Sequence, residues 1–409
     1  MTAPVYILGG YQTDFARNWT KEGKHLAAMV REAVTGALAA TAVEPREIEV
    51  GHVGNFAAEL YAMQGHLGAF LVDVDPALAG LPTGRHEAAC ASGSIAILAA
   101  TAELEAGRYD LALVVGVEQM KTVSAAVGGD YLGTAAWYEL EAKGIEFPFP
   151  RLFGRLGDEY DRRYGLRDEH LAHIAALNYR NARRNPRAQT RTWYMSEDHA
   201  RGGGPYNATI GGRLKISDCS QVTDGAVAVL LASPRFAASW AARRGRRLDD
   251  VARIQGWGHR TAPLTFAAKL AESARAPYVL PHTRRAIEDA YRRAGIAGCW
   301  DLSGIETHDC FTTSEYMAID HFGLTAPGES WKAIEDGVID DDGRLPINPS
   351  GGLIGAGHPV GATGVRQLLD AALQVTGAAG DYQVPGASRF ATLNIGGSGT
   401  TSCVFVVGR

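Results

Sequence analysis

Apolar positions along the chain alternate between two rhythms. From residue 26 to 56, LAAMVREAVTGALAATAVEPREIEVGHVGNF carries apolar side chains three or four apart, as an amphipathic helix does, and passes through a short loop into the strand-like IEVGHVGNF. The same order returns at 283–311 in TRRAIEDAYRRAGIAGCWDLSGIETHDCF. Each copy is followed by a helix rich in small residues and then a strand. In the first half this is HEAACASGSIAILAATAELEAGRYDLALVVGVEQM; in the second, NPSGGLIGAGHPVGATGVRQLLDAALQV leads to RFATLNIGGSGTTSCVFVV. Cys90 and His358 therefore hold comparable places in two similar halves. Strands as continuously apolar as LALVVGV and AVAVLLA predict parallel or mixed sheets covered on both faces by helices. The Ala, Gly and Ser in the two later helices let backbones approach on more than one side, which predicts sheets with helices sandwiched between them.

Residues 121–213 differ in texture, with FPFPRLFGRLGDEYDRRYG, a helical DEHLAHIAALNYRNARRNP and a turn ARGGGPYN, and read as an inserted lid or loop domain. The organisation predicted is a first half over 1–120, the insertion over 121–213, completion of the first half over 214–270 and a second half over 271–409.

Composition narrows the function. A chain of 409 residues, 46% hydrophobic and 21% charged, can bury a large core, and a formal net charge of -5 gives no electrostatic reason to bind nucleic acid or an anionic membrane. Cys90, Cys219, Cys299, Cys310 and Cys403 are scattered, without CxxC spacing, so neither a zinc site nor a disulfide framework is predicted. Reduced thiols in a bacterial cytoplasm are the expectation. MTAPVYILGG lacks the basic flank of a secretory signal, no run reaches the length of a membrane span, and CVFVVGR carries no peroxisomal address.

Three segments carry candidate chemistry. Cys90, in EAACASGS, falls where a helix begins, and the positive end of a helix favours a nucleophilic thiolate; a small buried hydrophobe is the alternative. His358, in GGLIGAGHPVGATG, lies among glycines that allow close backbone approach, and is a candidate base for a cysteine. An exposed turn histidine or a phosphate cradle are the alternatives, the cradle disfavoured because no Lys-Ser/Thr follows. In THDCFTTSE, His308 and Cys310 are open to four readings: half a metal site, half a disulfide, a core turn, or an acid/base unit.

EAACASGS, GVEQM, NPSGGLIGAGHPVGATG and NIGGSGT, in that order over the whole chain, resemble a thiolase. Where the commonest thiolase pattern has a second catalytic cysteine ahead of the last glycine loop, this chain has Asn394. HDCF at 308–311, NPRAQTR at 185–191 and SDCSQVTDGAVAVLLAS at 217–233 are similar to the branch related to sterol carrier protein, in which the HDCF cysteine takes over acid/base duty. The resemblance implies an α/β thiolase fold, two similar α/β halves in a five-layer αβαβα sandwich with the loop domain over the active site, and at least a homodimer or homotetramer.

It also implies roles. Cys90 carries the acyl group, His358 accepts its proton, and Cys310 moves the proton on acetyl-CoA. His358 and His308 hold the enolate oxygen, while the backbone N–H groups of Cys90 and Gly396 hold the tetrahedral oxyanion. The implied activity is that of an acyl-CoA C-acyltransferase working on coenzyme A thioesters, with neither metal nor redox cofactor. Alternatives are an aldol lyase acting with an OB-fold partner, which would not need the acyl-carrying thiol, and a noncatalytic acyl-CoA or lipid carrier. The chain ends after its last strand, with no sterol-transfer domain expected beyond it. RRGRR at 243–247 reads as a coenzyme A phosphate contact or a solvated basic turn, GHRTAPLTF at 258–266 as a loop near coenzyme A, His66 as lying near a dimer contact or as an ordinary histidine, and Cys219, Cys299 and Cys403 as packing residues.

Overall fold

The apolar runs LALVVGVE and GAVAVLLA are buried at every position, as strands must be when helices cover both faces. The computed structural model describes residues 3–409, so the first two residues of the opening run lie outside it. Its strands are β1 (Val5–Gln12), β2 (Val50–Gly54), β3 (Thr83–His86), β4 (Leu111–Glu118), β5 (Thr209–Gly211), β6 (Leu214–Lys215), β7 (Gly225–Ala232), β8 (Ala252–Thr261), β9 (Gly304–Glu306), β10 (Arg389–Gly396) and β11 (Thr401–Gly408). Hydrogen bonding runs in the order β3-β2-β4-β7-β1-β8-β11-β10-β9, with β5 and β6 as a separate pair. β2 is parallel to β3 and β4, β10 is parallel to β9, and the other pairings are antiparallel.

β1 and β8 meet over only three register pairs, Val5 to Ile254 through Ile7 to Ala252, whereas β8 follows β11 along its length, from Arg253 opposite Gly408 to Thr261 opposite Thr401. The ladder thus divides into two sheets joined at one end. β8, which follows β7 and the helix Pro234–Arg243 in the chain, therefore runs mainly with the second sheet. An unbroken apolar texture does not reveal which neighbour a strand pairs with.

Helix Leu26–Thr41 buries Leu26, Met29, Val30, Ala33, Val34 and Ala37, a stripe at helical spacing, against the outer face of the first sheet. Helix Pro281–Ala294 covers the outer face of the second, where Gly256 and Gly258 of β8 let the backbone at Ala286 and Ala290 come close. Between the sheets lie helices Ser92–Glu105 and Thr363–Thr376, interleaving Ala96, Ile97 and Ala100 with Val365, Leu368 and Leu369. The result is the five-layer αβαβα sandwich of two similar halves.

The insertion is helical, with Ala125–Gly133, Pro148–Tyr164 and Asp168–Ala182 as its main segments. Leu152, Phe153, Tyr160, Ile174 and Leu177 share one core with Phe311, Tyr316 and Leu353 of the second half. No helix among the described residues is long and apolar enough to cross a membrane.

The central layer is spaced by glycine. A Cβ on Gly116 would lie 2.6 Å from the Gly361 carbonyl oxygen and from Ala362 Cα, and one on Gly93 would lie 2.7 Å from the same oxygen. Gly116→Ala should therefore lower the unfolding free energy by about 1–3 kcal/mol through overpacking, measured by urea denaturation. An unchanged midpoint would show that the layer relaxes freely.

Candidate active site

Each chemical side chain sits at a break between regular elements. After β3, the turn around Ala89 takes a left-handed φ of 51°, uncommon for a residue with a Cβ. Ser92 ties this turn down: its hydroxyl donates to Ala89 O at 2.6 Å and accepts from Ala88 N–H at 3.0 Å. Cys90, half-buried as a residue, is thus held ahead of the helix, whose first residue is Ser92.

Two backbone N–H groups, of Cys90 itself and of Gly397, reach the Cys90 thiol. On the glycine loop, the N–H that reaches the resting sulfur is that of Gly397, next to Gly396, the expected oxyanion donor. Gly396 ends β10, and a Cβ there would meet Ala88 O at 2.1 Å, so Gly396 provides the close approach while Gly397, at φ +61°, turns toward the sulfur. The loop is anchored by buried Lys269, whose Nζ donates to Ser398 Oγ at 2.6 Å, Thr400 Oγ1 at 2.7 Å and Ser398 O at 3.1 Å. Burial pulls this ammonium down to about 8.

The HDCF segment follows the three-residue β9. Asp309 accepts the N–H groups of Leu353 (2.6 Å) and Ile354 (3.0 Å) and thereby caps the short helix Gly352–Ala356 that leads to His358. Gly352, at φ +60°, makes room for it, since a Cβ would lie 2.4 Å from a carboxylate oxygen. One buried amide, Asn178 Nδ2, donates to both Asp309 (3.0 Å) and Glu315 (2.7 Å). Cys310 is buried, and its carbonyl accepts from Ser220 N–H at 2.9 Å. His358 is fixed twice, its N–H donating to Thr223 Oγ1 at 2.9 Å and its Nδ1 lying 2.6 Å from Thr363 Oγ1. Thr363 spends its own proton on Pro359 O at 3.2 Å, so it accepts from Nδ1–H and leaves Nε2 with a lone pair.

These segments converge. Cys90 Sγ and a ring nitrogen from each of His308 and His358 lie within 4.8 Å of one another. The two rings meet edge to face at 5.1 Å. Such a trio could also hold a soft metal ion. Cys90, Cys310, His358 and Gly397 line one cavity of about 230 Å³, whose walls are otherwise largely apolar: Leu132, Phe147, Phe149, Phe153, Ile210 and Phe311. Cys219, expected to pack, is buried and also faces this cavity. Cys299 and Cys403 are buried away from its lining; the largely exposed basic turn, where Arg243 pairs with Glu47 at 2.7 Å, and the exposed His66 also lie outside it.

Electrostatics corrects the expectation of a resting thiolate. Burial, reinforced by the Glu118 carboxylate, pushes the Cys90 thiol up to about 12, and the two N–H groups offset only part of this. Burial, with Arg366 nearby, pushes His358 down to about 3. His308 is depressed by burial and by its neighbour His358, and Cys310 is raised by burial and by Cys90. The resting site is therefore neutral thiols beside neutral imidazoles, with Cys90 within 4.8 Å of a ring nitrogen of His358, whose Nε2 is free.

Comparison with known proteins agrees with the geometry. Residues 5–192 match the thiolase N-terminal domain model and residues 267–409 the thiolase C-terminal domain-like model. The acetyl-CoA acetyltransferase of Methanothermobacter thermautotrophicus is 32% identical over 407 residues, covering 99% of both chains. This chain belongs to the thiolase family. Sterol carrier protein 2 of Rattus norvegicus is 28% identical over 96% of this thiolase and 70% of its own length, in keeping with the HDCF branch. The solved Ltp2-ChsH2(DUF35) aldolase superposes with a TM-score of 0.79 at 19% identity, covering 100% and 98% of the two chains, which extends the likeness in fold.

Reading by motif missed Lys269 and Glu118. Lys269 stands between Phe266 and Ser273 on the buried face of its helix, and a lone charge on an apolar stripe was the available signal. Glu118, at the end of β4, accepts N–H groups from Phe56 (2.9 Å), Ala57 (3.2 Å) and Gly361 (3.0 Å), joining both halves at the site. No periodicity announces it.

The depressed His358 has a consequence for stability. Between its folded value of about 3 and the ordinary 6.5, the unfolded chain binds a proton that the folded thiolase refuses, so stability falls as pH drops below 6.5. The wild type should lose up to about 1.4 kcal/mol per pH unit relative to His358→Asn in that window. Chemical denaturation at several pH values measures the difference, and parallel profiles would contradict the buried neutral imidazole.

Proposed function

We propose that the protein is an acyl-CoA C-acyltransferase that forms or splits a carbon–carbon bond beside a thioester carbonyl. The observation that carries this reading is the convergence of Cys90 with two histidines at the cavity that Cys310 also lines. An acyl carrier and a separate proton carrier are what such a reaction requires. The Cys90 sulfur attacks the thioester carbonyl while its proton passes to His358 Nε2. The tetrahedral oxyanion sits at the N–H groups of Cys90 and Gly397, one such donor being worth roughly 3–4 kcal/mol of barrier. Coenzyme A leaves with the proton. In the second half, Cys310 passes its own proton to the freed His358 Nε2 and, as a thiolate, removes a proton from the methyl carbon of acetyl-CoA. The enolate oxygen is held by the Nε2–H groups of His358 and His308 as its carbon attacks the acyl group and expels the Cys90 sulfur, which recovers a proton from His358. Thiolysis runs the same steps in reverse.

Family membership and relatives named acetyl-CoA acetyltransferase support this reading. The substrates are coenzyme A thioesters, and the chemistry as written calls for no metal or redox cofactor. A cavity of about 230 Å³ exceeds the ~150 Å³ that suffices for benzene, which favours acyl groups larger than acetyl. A cytoplasmic homodimer or tetramer belongs to the same proposal.

The test is loss of thioester enolate absorbance when acetoacetyl-CoA and longer 3-oxoacyl-CoA thioesters are mixed with free coenzyme A. Turnover is expected with both, faster with the longer chains. Cys90→Ala should abolish it, and Cys310→Ala should slow it by about 10²–10⁴-fold, the usual worth of a positioned acid/base, while Cys90 still exchanges its acyl group with coenzyme A. A Cys90→Ala protein that cleaves a β-hydroxyacyl-CoA would replace this reading with aldol cleavage. Binding of acyl-CoA without turnover would replace it with a carrier.

A further inference from the structure

Asn394 occupies the place where a second catalytic cysteine is commonest, and its buried side chain makes two hydrogen bonds. On one side, Ser94 Oγ donates to Asn394 Oδ1 at 2.8 Å. On the other, Asn394 Nδ2 lies 3.1 Å from His308 Nδ1. Space for this relay is left by Gly364, where a Cβ would lie 2.2 Å from Ser94 Oγ and 2.5 Å from Asn394 Oδ1. Ser94 and Asn394 are both buried, and no other side-chain partner reaches either among the described residues.

We infer that Asn394, oriented by Ser94, is a positioning residue that fixes the tautomer of His308 and makes its Nε2–H a permanent hydrogen-bond donor to the reacting oxygen. A serine hydroxyl has one proton, and here it goes to the amide oxygen, which turns the amide nitrogen toward His308. An amide nitrogen only donates. The His308 Nδ1 must therefore accept, and the ring hydrogen stands on Nε2. His358 is held the opposite way by Thr363, with hydrogen on Nδ1 and Nε2 bare. One imidazole starts as a base and the other is a donor throughout, so two identical side chains divide the work through their neighbours.

The inference rests on the acyl-transfer reading for its effect on rate, though not for its structural content. Spectra of the wild type with nitrogen-15-labelled histidine, assigned through His308→Gln, should show a pyridine-type Nδ1 and a pyrrole-type Nε2 for His308 near neutral pH. The reverse pattern overturns the inference whether or not the protein is a thiolase. Asn394→Asp keeps the shape but presents a carboxylate that accepts from Nδ1–H, drawing the hydrogen away from Nε2. Carbon–carbon bond formation should fall about 10²–10³-fold, as when one oxyanion donor is lost, while the burst of coenzyme A released on acylation of Cys90 keeps its wild-type amplitude. Loss of both half-reactions, or of neither, overturns the positioning role. If Asn394→Asp does not fold, Ser94→Ala takes its place: it should admit the second tautomer into the spectrum, and an unchanged spectrum overturns the part given to Ser94. Absence of all turnover in the wild type would strike the acyl-transfer reading and leave the tautomer result standing.

Discussion

Cys90 and His358 meet only because nothing larger than a hydrogen atom separates the two central helices at their N-terminal ends. Gly93 faces the Gly361 carbonyl, Gly116 faces the same oxygen and Ala362, and a Cβ on Gly361 would meet Asn55 Cα at 2.6 Å. Every one of these positions would require backbone to move if it carried a methyl group. Glu118 then closes the seam, a single carboxylate from the first half accepting N–H groups from its own half and from Gly361 of the second. Burial lifts this carboxyl to about 7 despite three backbone donors, so the joint holds a group whose charge is only just maintained at neutrality.

A second chain of constraints runs through the HDCF segment. Asp309 contributes no atom to the cavity lining, yet it caps the helix that delivers His358, while its sequence neighbours His308 and Cys310 serve the site directly. Four consecutive residues therefore set two of the proposed catalytic groups and the entry to a third. The surrounding polar burial is costly. Asn178 and the two backbone donors satisfy both oxygens of Asp309. Asn178 and Asn348 donate to Oε2 of Glu315, whose Oε1 has no hydrogen-bond partner among the described residues and whose carboxyl is raised well above the usual range by burial and by Asp309. Replacing any of these partners would leave charge or a lone pair stranded in the core.

Much of this was legible from the chain. The repeated helix–strand order foretold two halves, and the small-residue helices foretold a central layer, because a helix apolar or small on all sides has no face for water. Cys90, His358, His308 and Cys310 could be nominated because chemically distinctive residues lay in glycine-rich or polar breaks of apolar texture. What stayed hidden depends on partners distant along the chain. The register that assigns β8 to the second sheet is a pairing property. Which of the adjacent glycines presents its N–H to the Cys90 sulfur is a matter of local backbone geometry, and the neutral resting state of Cys90 reflects burial that a helix-end argument does not include.

The proposed catalytic groups and the cavity walls come from different parts of the chain. Cys90, His308, Cys310 and His358 belong to the two halves, whereas Phe147, Phe149, Phe153 and Ile210 belong to the insertion. Reactivity and selectivity are thus separable traits: mutations in the insertion can reshape what is accepted while the reacting groups keep their geometry, so descendants of one such scaffold can diversify in diet without reinventing their chemistry.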